Sequence, residues 1–89
     1  MEIIEITWRE FHDTLPLKDN IHYKIIFDNG YRFIVNEKVH CEFGPADVID
    51  NIGHYYLNGN FLFDSFFLTK NNIKPPTSLN EIKKIMLLM

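Results

Sequence analysis

The pattern of apolar and polar positions predicts that the chain opens with a short strand and a short helix. Three isoleucines and two glutamates make up residues 2–6, which we predict as a strand. Thr7 and Glu10 have the spacing of a capping box, in which each side chain satisfies a backbone donor of the first helical turn. Apolar residues at helical spacing then predict a helix from Trp8 to about Leu15, which Pro16 ends.

An Asn-Gly dipeptide within an apolar stretch predicts a β-hairpin over residues 22–37. We expect a three-residue loop, Asp28–Gly30, with Gly30 left-handed in a bulge. That loop places Phe27 opposite Tyr31 and makes one face of the hairpin fully apolar.

A second Asn-Gly dipeptide predicts a second hairpin over residues 54–68. With residues 58–60 as its loop, Tyr55 lies opposite Phe63. Between the two hairpins the sequence predicts a strand over residues 38–43.

A short helix is predicted after that strand, over residues 45–53. Pro45 has the position of a first helical residue, and Gly53 has that of the residue just beyond a helix.

The last helix is predicted from Leu79 to about Leu88, because Ser78 and Glu81 form a second capping box. Its final residues are all apolar, and exposed apolar patches mark interfaces or aggregation. Two explanations stay open: burial in a groove between the first helix and the sheet, or a two-fold homodimer seam. The residues concerned are Met86, Leu87, Leu88 and Met89.

These elements define an α+β fold. We predict an antiparallel sheet of four to five strands, built from the two Asn-Gly hairpins and packed with three helices, two short and one C-terminal. The 89 residues predict a single domain over residues 1–89. A single cysteine, no signal-like start and no apolar run long enough to span a bilayer predict a cytoplasmic protein without a membrane segment.

The charge is unevenly distributed, which indicates where a partner would bind. Residues 1–50 hold ten acidic and five basic side chains, whereas residues 51–89 hold two acidic and four basic ones. Neither half has the basic footprint of a duplex nucleic-acid binder. We therefore expect a protein partner, with a basic surface of a nucleic-acid-handling complex as one option. The predicted partner-binding residues are Glu37, Glu42, Asp47, Asp50 and Tyr56.

The chain lacks a recognisable catalytic or metal-binding motif. Adjacent His40 and Cys41 would point to opposite faces of a strand, and no His or Cys spacing fits a zinc site. We therefore predict no metal, no cofactor and no enzymatic activity. The alternative is a small nucleic-acid-binding module, or an RNA-processing enzyme that uses His22 and His54 as acid and base.

The function predicted from the sequence is binding and inhibition of a protein target. Ile, Lys, Asn, Phe and Tyr supply 40 of the 89 residues, which indicates AT-rich coding typical of low-GC bacteria and their phages. This composition favours a phage or mobile-element inhibitor of a host defence system, of the anti-CRISPR type. An immunity protein and an antitoxin are the other inhibitor classes expected.

Overall fold

The computed structural model describes residues 1–89 and shows an α+β fold around one mixed sheet. The seven strands are Ile3–Thr7 (β1), His22–Phe27 (β2), Gly30–Val35 (β3), Lys38–Val39 (β4), Asp47–Ile49 (β5), Ile52–Leu57 (β6) and Asn60–Asp64 (β7). The three helices are Phe11–Thr14 (α1), Ser65–Lys70 (α2) and Leu79–Met86 (α3). The strand order is β1-β2-β3-β5-β6-β7, and β4 pairs with β3 beside this path. The α+β class with three helices is confirmed, whereas the antiparallel sheet of four to five strands is wrong.

Strand β1 makes the sheet mixed, because it pairs in parallel with β2 while the other pairs are antiparallel. Residues 8–21 form the crossover connection that parallel neighbours require. Helix α1 lies in this crossover and is one turn long, so the helix predicted over residues 8–15 is too long. The reason is that the Trp8 amide donates to the Ile26 carbonyl at 2.9 Å and so continues the strand ladder.

The side-chain pairs of both predicted capping boxes form. The Thr7–Glu10 box precedes α1 rather than capping it, and in the second box Glu81 accepts from the Thr77 amide in place of the Ser78 amide. Glu10 Oε1 accepts hydrogen bonds from the amide and the hydroxyl of Thr7, at 3.1 and 2.8 Å. Ser78 Oγ accepts from the Glu81 amide at 3.2 Å, which starts α3 where the sequence predicts it. Hydrogen bonds from Thr7 lower the pKa of the Glu10 carboxyl, and those from Thr77 lower the pKa of Glu81.

The first hairpin has a shorter loop than predicted. Phe27 pairs with Gly30, so the turn consists of residues 28–29 alone, and the pairing of Phe27 with Tyr31 is wrong by one residue. Gly30 is part of β3 and does not have a positive φ, so the predicted left-handed bulge is also wrong. A glycine is needed there because a Cβ would overlap the carbonyl oxygen of Val48 on β5.

The second hairpin turns at Asn58-Gly59, where both residues have positive φ, 51° and 82°. Leu57 pairs with Asn60, so this loop also has two residues rather than three. A β-bulge then shifts the register by one residue, and Tyr55 lies opposite Phe63 as predicted.

The helix predicted over residues 45–53 is wrong, because this segment forms β5 and the start of β6. The two strands are joined by a tight turn at Asp50-Asn51, where both residues have positive φ, 51° and 66°. Gly53 lies within β6 rather than after a helix, and a Cβ there would be 3.2 Å from the Pro45 Cβ.

Strands β4 and β5 lie on the same side of β3 and are separated by a loop over residues 40–46. The backbone of Phe33 forms hydrogen bonds with both ends of this loop. Its carbonyl accepts from the His40 amide, and its amide donates to the Ala46 carbonyl. Cys41 and Ala46 fold back onto the Phe33 ring and form a small buried cluster. The strand predicted over residues 38–43 is therefore shorter than expected and consists only of β4, Lys38–Val39.

Helix α2 starts directly after β7, inside the segment predicted as hairpin. The Asp64 side chain caps it by accepting from the Phe67 amide at 3.0 Å. Helices α2 and α3 pack on one face of the sheet, which we call the helix face. The buried residues of this main core are Tyr55, Phe63, Leu68, Ile82 and Ile85. No helix is long and apolar enough to cross a membrane.

The apolar residues after α3 are not buried within the chain. Leu87, Leu88 and Met89 are 85%, 71% and 63% exposed, so the predicted intrachain burial is wrong. Ile82 and Ile85 alone fill the contact with the core, since one apolar stripe is enough to dock a helix.

Candidate functional site

The two histidines of the predicted RNA-processing pair lie far apart. His22 is on β2 and His54 is on β6, with β3 and β5 between them. Three strand spacings separate these positions by about 14 Å. The two imidazoles are therefore too far apart to act as acid and base on the same bond of a substrate.

His22 instead lies among other rings in a partly buried cluster. Its ring centroid is 6.4 Å from those of Phe33 and His40 and 5.8 Å from that of Phe43. Both ring nitrogens are buried and have no hydrogen-bond partner. Burial lowers the pKa of His22 below 6.5, and the neighbouring His40 lowers it further.

Both ring nitrogens of the buried His40 are engaged. Its Nδ1 accepts from the Asn58 amide at 2.9 Å, so the ring proton is on Nε2, which donates to Glu42 Oε2 at 3.0 Å. Through these two hydrogen bonds, His40 connects the β6–β7 turn to the loop over residues 40–46. Neither His22 nor His40 presents a free nitrogen to a substrate.

The position of His22 makes the stability of the protein depend on pH. As the pH falls through 6.5, the unfolded chain takes up a proton at this residue while the folded chain, with its lowered pKa, does not. We expect the free energy of unfolding to decrease there by at most about 1.4 kcal/mol per pH unit. His22→Phe keeps a ring in the cluster and removes the unpaired nitrogens. It should weaken this pH dependence and raise stability at neutral pH by about 1 kcal/mol.

Urea denaturation of wild type and His22→Phe across the window below pH 6.5 is the measurement. His12→Gln, at an exposed position, is the matched control and should keep the wild-type pH dependence. An unchanged slope in His22→Phe would show that another group causes it.

The carboxylates predicted to form one partner-binding surface are dispersed. Glu37 and Glu42 lie at the end of the sheet where β3 meets β4, and Asp50 lies at the opposite end, its amide bonded to the Asn29 carbonyl. The side chain of Asp47 is only 6% exposed. The four do not form a continuous acidic patch, because the helix expected to group them is a pair of strands.

Asp47 is the centre of a polar row on the sheet face opposite α2 and α3, which we call the open face. The β1–β2 crossover with α1 lies against the β2–β3 end of this face. Arg32, Asp47 and His54 are direct cross-strand neighbours on β3, β5 and β6. Asp47 Oδ2 accepts from Arg32 Nε at 2.8 Å, and Oδ1 accepts from His54 Nδ1 at 3.2 Å. The buried carboxylate therefore fixes the guanidinium and the imidazole in place.

The outer atoms of this row remain available. The side chains of Arg32 and His54 are 44% and 31% exposed. Arg32 uses only Nε for its hydrogen bond to Asp47, so its two terminal nitrogens have no partner in the chain. They can donate to a carboxylate or a carbonyl of another molecule.

Two aromatic rings extend the row across the open face. The Phe61 ring is 6.2 Å from the His54 ring and 5.5 Å from the Tyr56 ring, and Phe61 is 53% exposed. We call Arg32, His54, Tyr56 and Phe61 the open-face patch. Arg and Tyr are enriched among the residues that contribute most binding energy at protein interfaces, and Phe is enriched in interface composition.

The sequence predicts Tyr56 and Asp47 as partner-binding residues and His54 only as part of a catalytic alternative. It gives no role to Arg32 or Phe61, and it places Asp47 on an exposed helix rather than in the buried centre of the row. A usable signal was present, since Asp47 stands between Ala46 and Val48. In a strand such a carboxylate is buried and needs partners. The helix pattern over residues 45–53 masks this signal.

The open-face patch contains no metal site, since no three His, Cys, Asp or Glu side chains lie close enough to hold an ion. A comparison of the chain with protein-family models, curated proteins and solved structures finds no match to any of them. The geometry of the chain itself is therefore the basis for a functional proposal.

Proposed function

We propose that this chain is a non-enzymatic protein that binds and inhibits a protein target through the open-face patch. The observation that supports it is the buried Asp47 carboxylate, which holds Arg32 and His54 beside the exposed Phe61 ring. Burying a carboxylate is costly, and here it fixes two outward-facing side chains. Side chains that are fixed before binding lose less entropy on binding.

The chemistry of the patch defines the kind of partner it fits. The free nitrogens of Arg32 suit a carboxylate, and the rings of Phe61 and Tyr56 suit an apolar side chain next to it. We propose a target segment in which an acidic and an apolar side chain lie side by side. This replaces the basic partner surface expected from the charge of residues 1–50.

A binding role accounts for His22 and His40 better than acid–base catalysis does. His22 has buried ring nitrogens, and both nitrogens of His40 are bonded within the chain. A general acid or base needs a nitrogen within hydrogen-bond reach of its substrate. The composition supports the narrower proposal that the target belongs to a host defence system, with immunity protein and antitoxin as the other inhibitor classes.

Phe61→Ala is expected to abolish capture of the target and leave the fold intact, because the ring is half exposed. A hot-spot loss of about 2 kcal/mol weakens binding about 30-fold. Tagged wild type and variant would be used to capture proteins from cells of the native host, with nuclease-treated samples in parallel. Phe66→Ala is the matched control, since this ring is 63% exposed on α2, away from the patch.

We expect one protein in near-stoichiometric amount with wild type and Phe66→Ala, and its loss with Phe61→Ala. The captured protein should also be less active in the complex than alone. Equal capture by all three chains, or capture of nuclease-sensitive nucleic acid in its place, would contradict the proposal.

A further inference from the structure

The segment after α3 forms an apolar projection that the chain itself leaves uncovered. Leu87 and Leu88 are 85% and 71% exposed, the highest values among the large apolar residues that follow α3. Lys83 and Lys84 precede them, and neither forms an ion pair with a carboxylate of the chain. The segment over residues 83–89, which we call the α3 tail, is therefore both apolar and basic.

A complementary groove lies between the β1–β2 crossover and β3. Its volume is about 560 Å³, and its lining is mainly apolar with one carboxylate. Leu15 at its edge is 48% exposed. The lining residues are Phe11, Leu15, Pro16, Leu17, Ile34 and Glu37.

The α3 tail cannot reach the groove of its own chain. Ile34, in the groove wall, is two residues from Arg32 on β3 and so faces the open face. Helix α3 packs on the helix face, through Ile82 and Ile85, at the β6–β7 end of the sheet. The groove and the tail are thus on opposite faces, and an occupant must come from another molecule.

Charge and polarity make a second copy of this chain the occupant that fits. The tail offers two lysines and four exposed apolar residues, Met86–Met89, while its Ile85 is buried in the core of its own chain. The groove offers apolar walls with Glu37 among its lining residues. The same complementarity holds for the whole chain, since residues 1–50 have an excess of five carboxylates and residues 51–89 an excess of two basic groups. We propose a two-fold dimer in which the α3 tail of each copy occupies the groove of the other.

This exchange predicts two identical contacts per dimer, and variants can separate them. The double variant Leu87→Asp/Leu88→Asp removes the apolar contact made by the tail, and Leu15→Asp places a charge at the edge of the groove. Each of these variants alone should be a monomer. Mixed in equal amounts, the two variants can form one intact contact per pair, between the tail of the groove variant and the groove of the tail variant. The mixture should therefore recover a dimer that neither variant forms alone.

Light scattering coupled to size exclusion measures this directly, against a chain mass of 10.6 kDa. Wild type should have twice that mass, and Phe66→Asp, an exposed apolar position outside both surfaces, should keep it. Circular dichroism checks the fold of each variant, and Leu15→Ser replaces Leu15→Asp if the latter is unfolded.

Each other outcome overturns the proposal. A monomeric wild type that binds anionic phospholipid vesicles through the tail would make a membrane surface the occupant, and a monomer that binds none would leave the groove without this partner. If Leu15→Asp is folded and still forms a dimer, the two α3 tails contact each other and not the grooves. A mixture that stays monomeric would show that the tail and the groove do not meet.

Discussion

Replacing Gly30 with alanine is expected to destabilise the protein by about 3 kcal/mol or more. The added Cβ would overlap the carbonyl oxygen of Val48, which belongs to the backbone of β5 and cannot rotate away. Strands β3 and β5 would have to separate, and this is the junction that joins Arg32 to Asp47. Since domains of this size are stable by roughly 5–15 kcal/mol, a loss of about 3 kcal/mol is a large fraction of the free energy of unfolding.

Gly44→Ala is the matched control for Gly30→Ala. Gly44 is buried whereas Gly30 is half-buried, and a Cβ at Gly44 meets nothing within 4 Å. Thermal unfolding should show a change of less than about 1 kcal/mol at Gly44, because alanine there only restricts the unfolded chain. Equal effects at the two glycines would contradict the close approach of β3 and β5.

Phe63→Ala is expected to cost about 3–5 kcal/mol. Phe63 is 2% exposed and stacks on Tyr55 with a centroid distance of 4.7 Å, and Leu68 and Ile82 pack on the same cluster. Removing this ring opens a cavity beneath both α2 and α3. Urea denaturation should show a lower midpoint and an unchanged slope.

The neighbouring phenylalanines provide the control for Phe63. Phe66 is 63% exposed on α2, and its replacement by alanine, the best helix former, should change stability by less than about 0.5 kcal/mol. A similar loss at both positions would mean that the helices do not pack on the sheet as described.

The elements that depend on local signals could be predicted from the sequence. The boxes Thr7–Glu10 and Ser78–Glu81 act within one turn of chain, and both form. The Asn58-Gly59 turn also follows from local backbone preference.

The elements that depend on distant partners could not be predicted. The Asn-Gly pattern predicts Gly30 as a turn residue, whereas its role is to allow the close approach of Val48 across the sheet. Asp50-Asn51 turns the chain without a glycine, so the sequence pattern predicts a helix where the structure has two strands and a turn. The parallel pairing of β1 has no local signature at all.

The same limit applies to the candidate site. Arg32, Asp47 and His54 come from three strands and meet only once the register of β3, β5 and β6 is known. Carboxylates close together in sequence, such as Glu42 and Asp50, are predicted to share a surface. The loop over residues 40–46 and the turn after β5 place them at different ends of the sheet.

The most direct test of the open-face patch as a binding surface is cross-linking within cells. A photoreactive phenylalanine analogue at position 61 should form one discrete adduct with a single protein on irradiation in the native host. The same analogue at position 66, which is similarly exposed on α2, should not form that adduct. No adduct from position 61, or the same set of adducts from both positions, would contradict the proposed role of the patch.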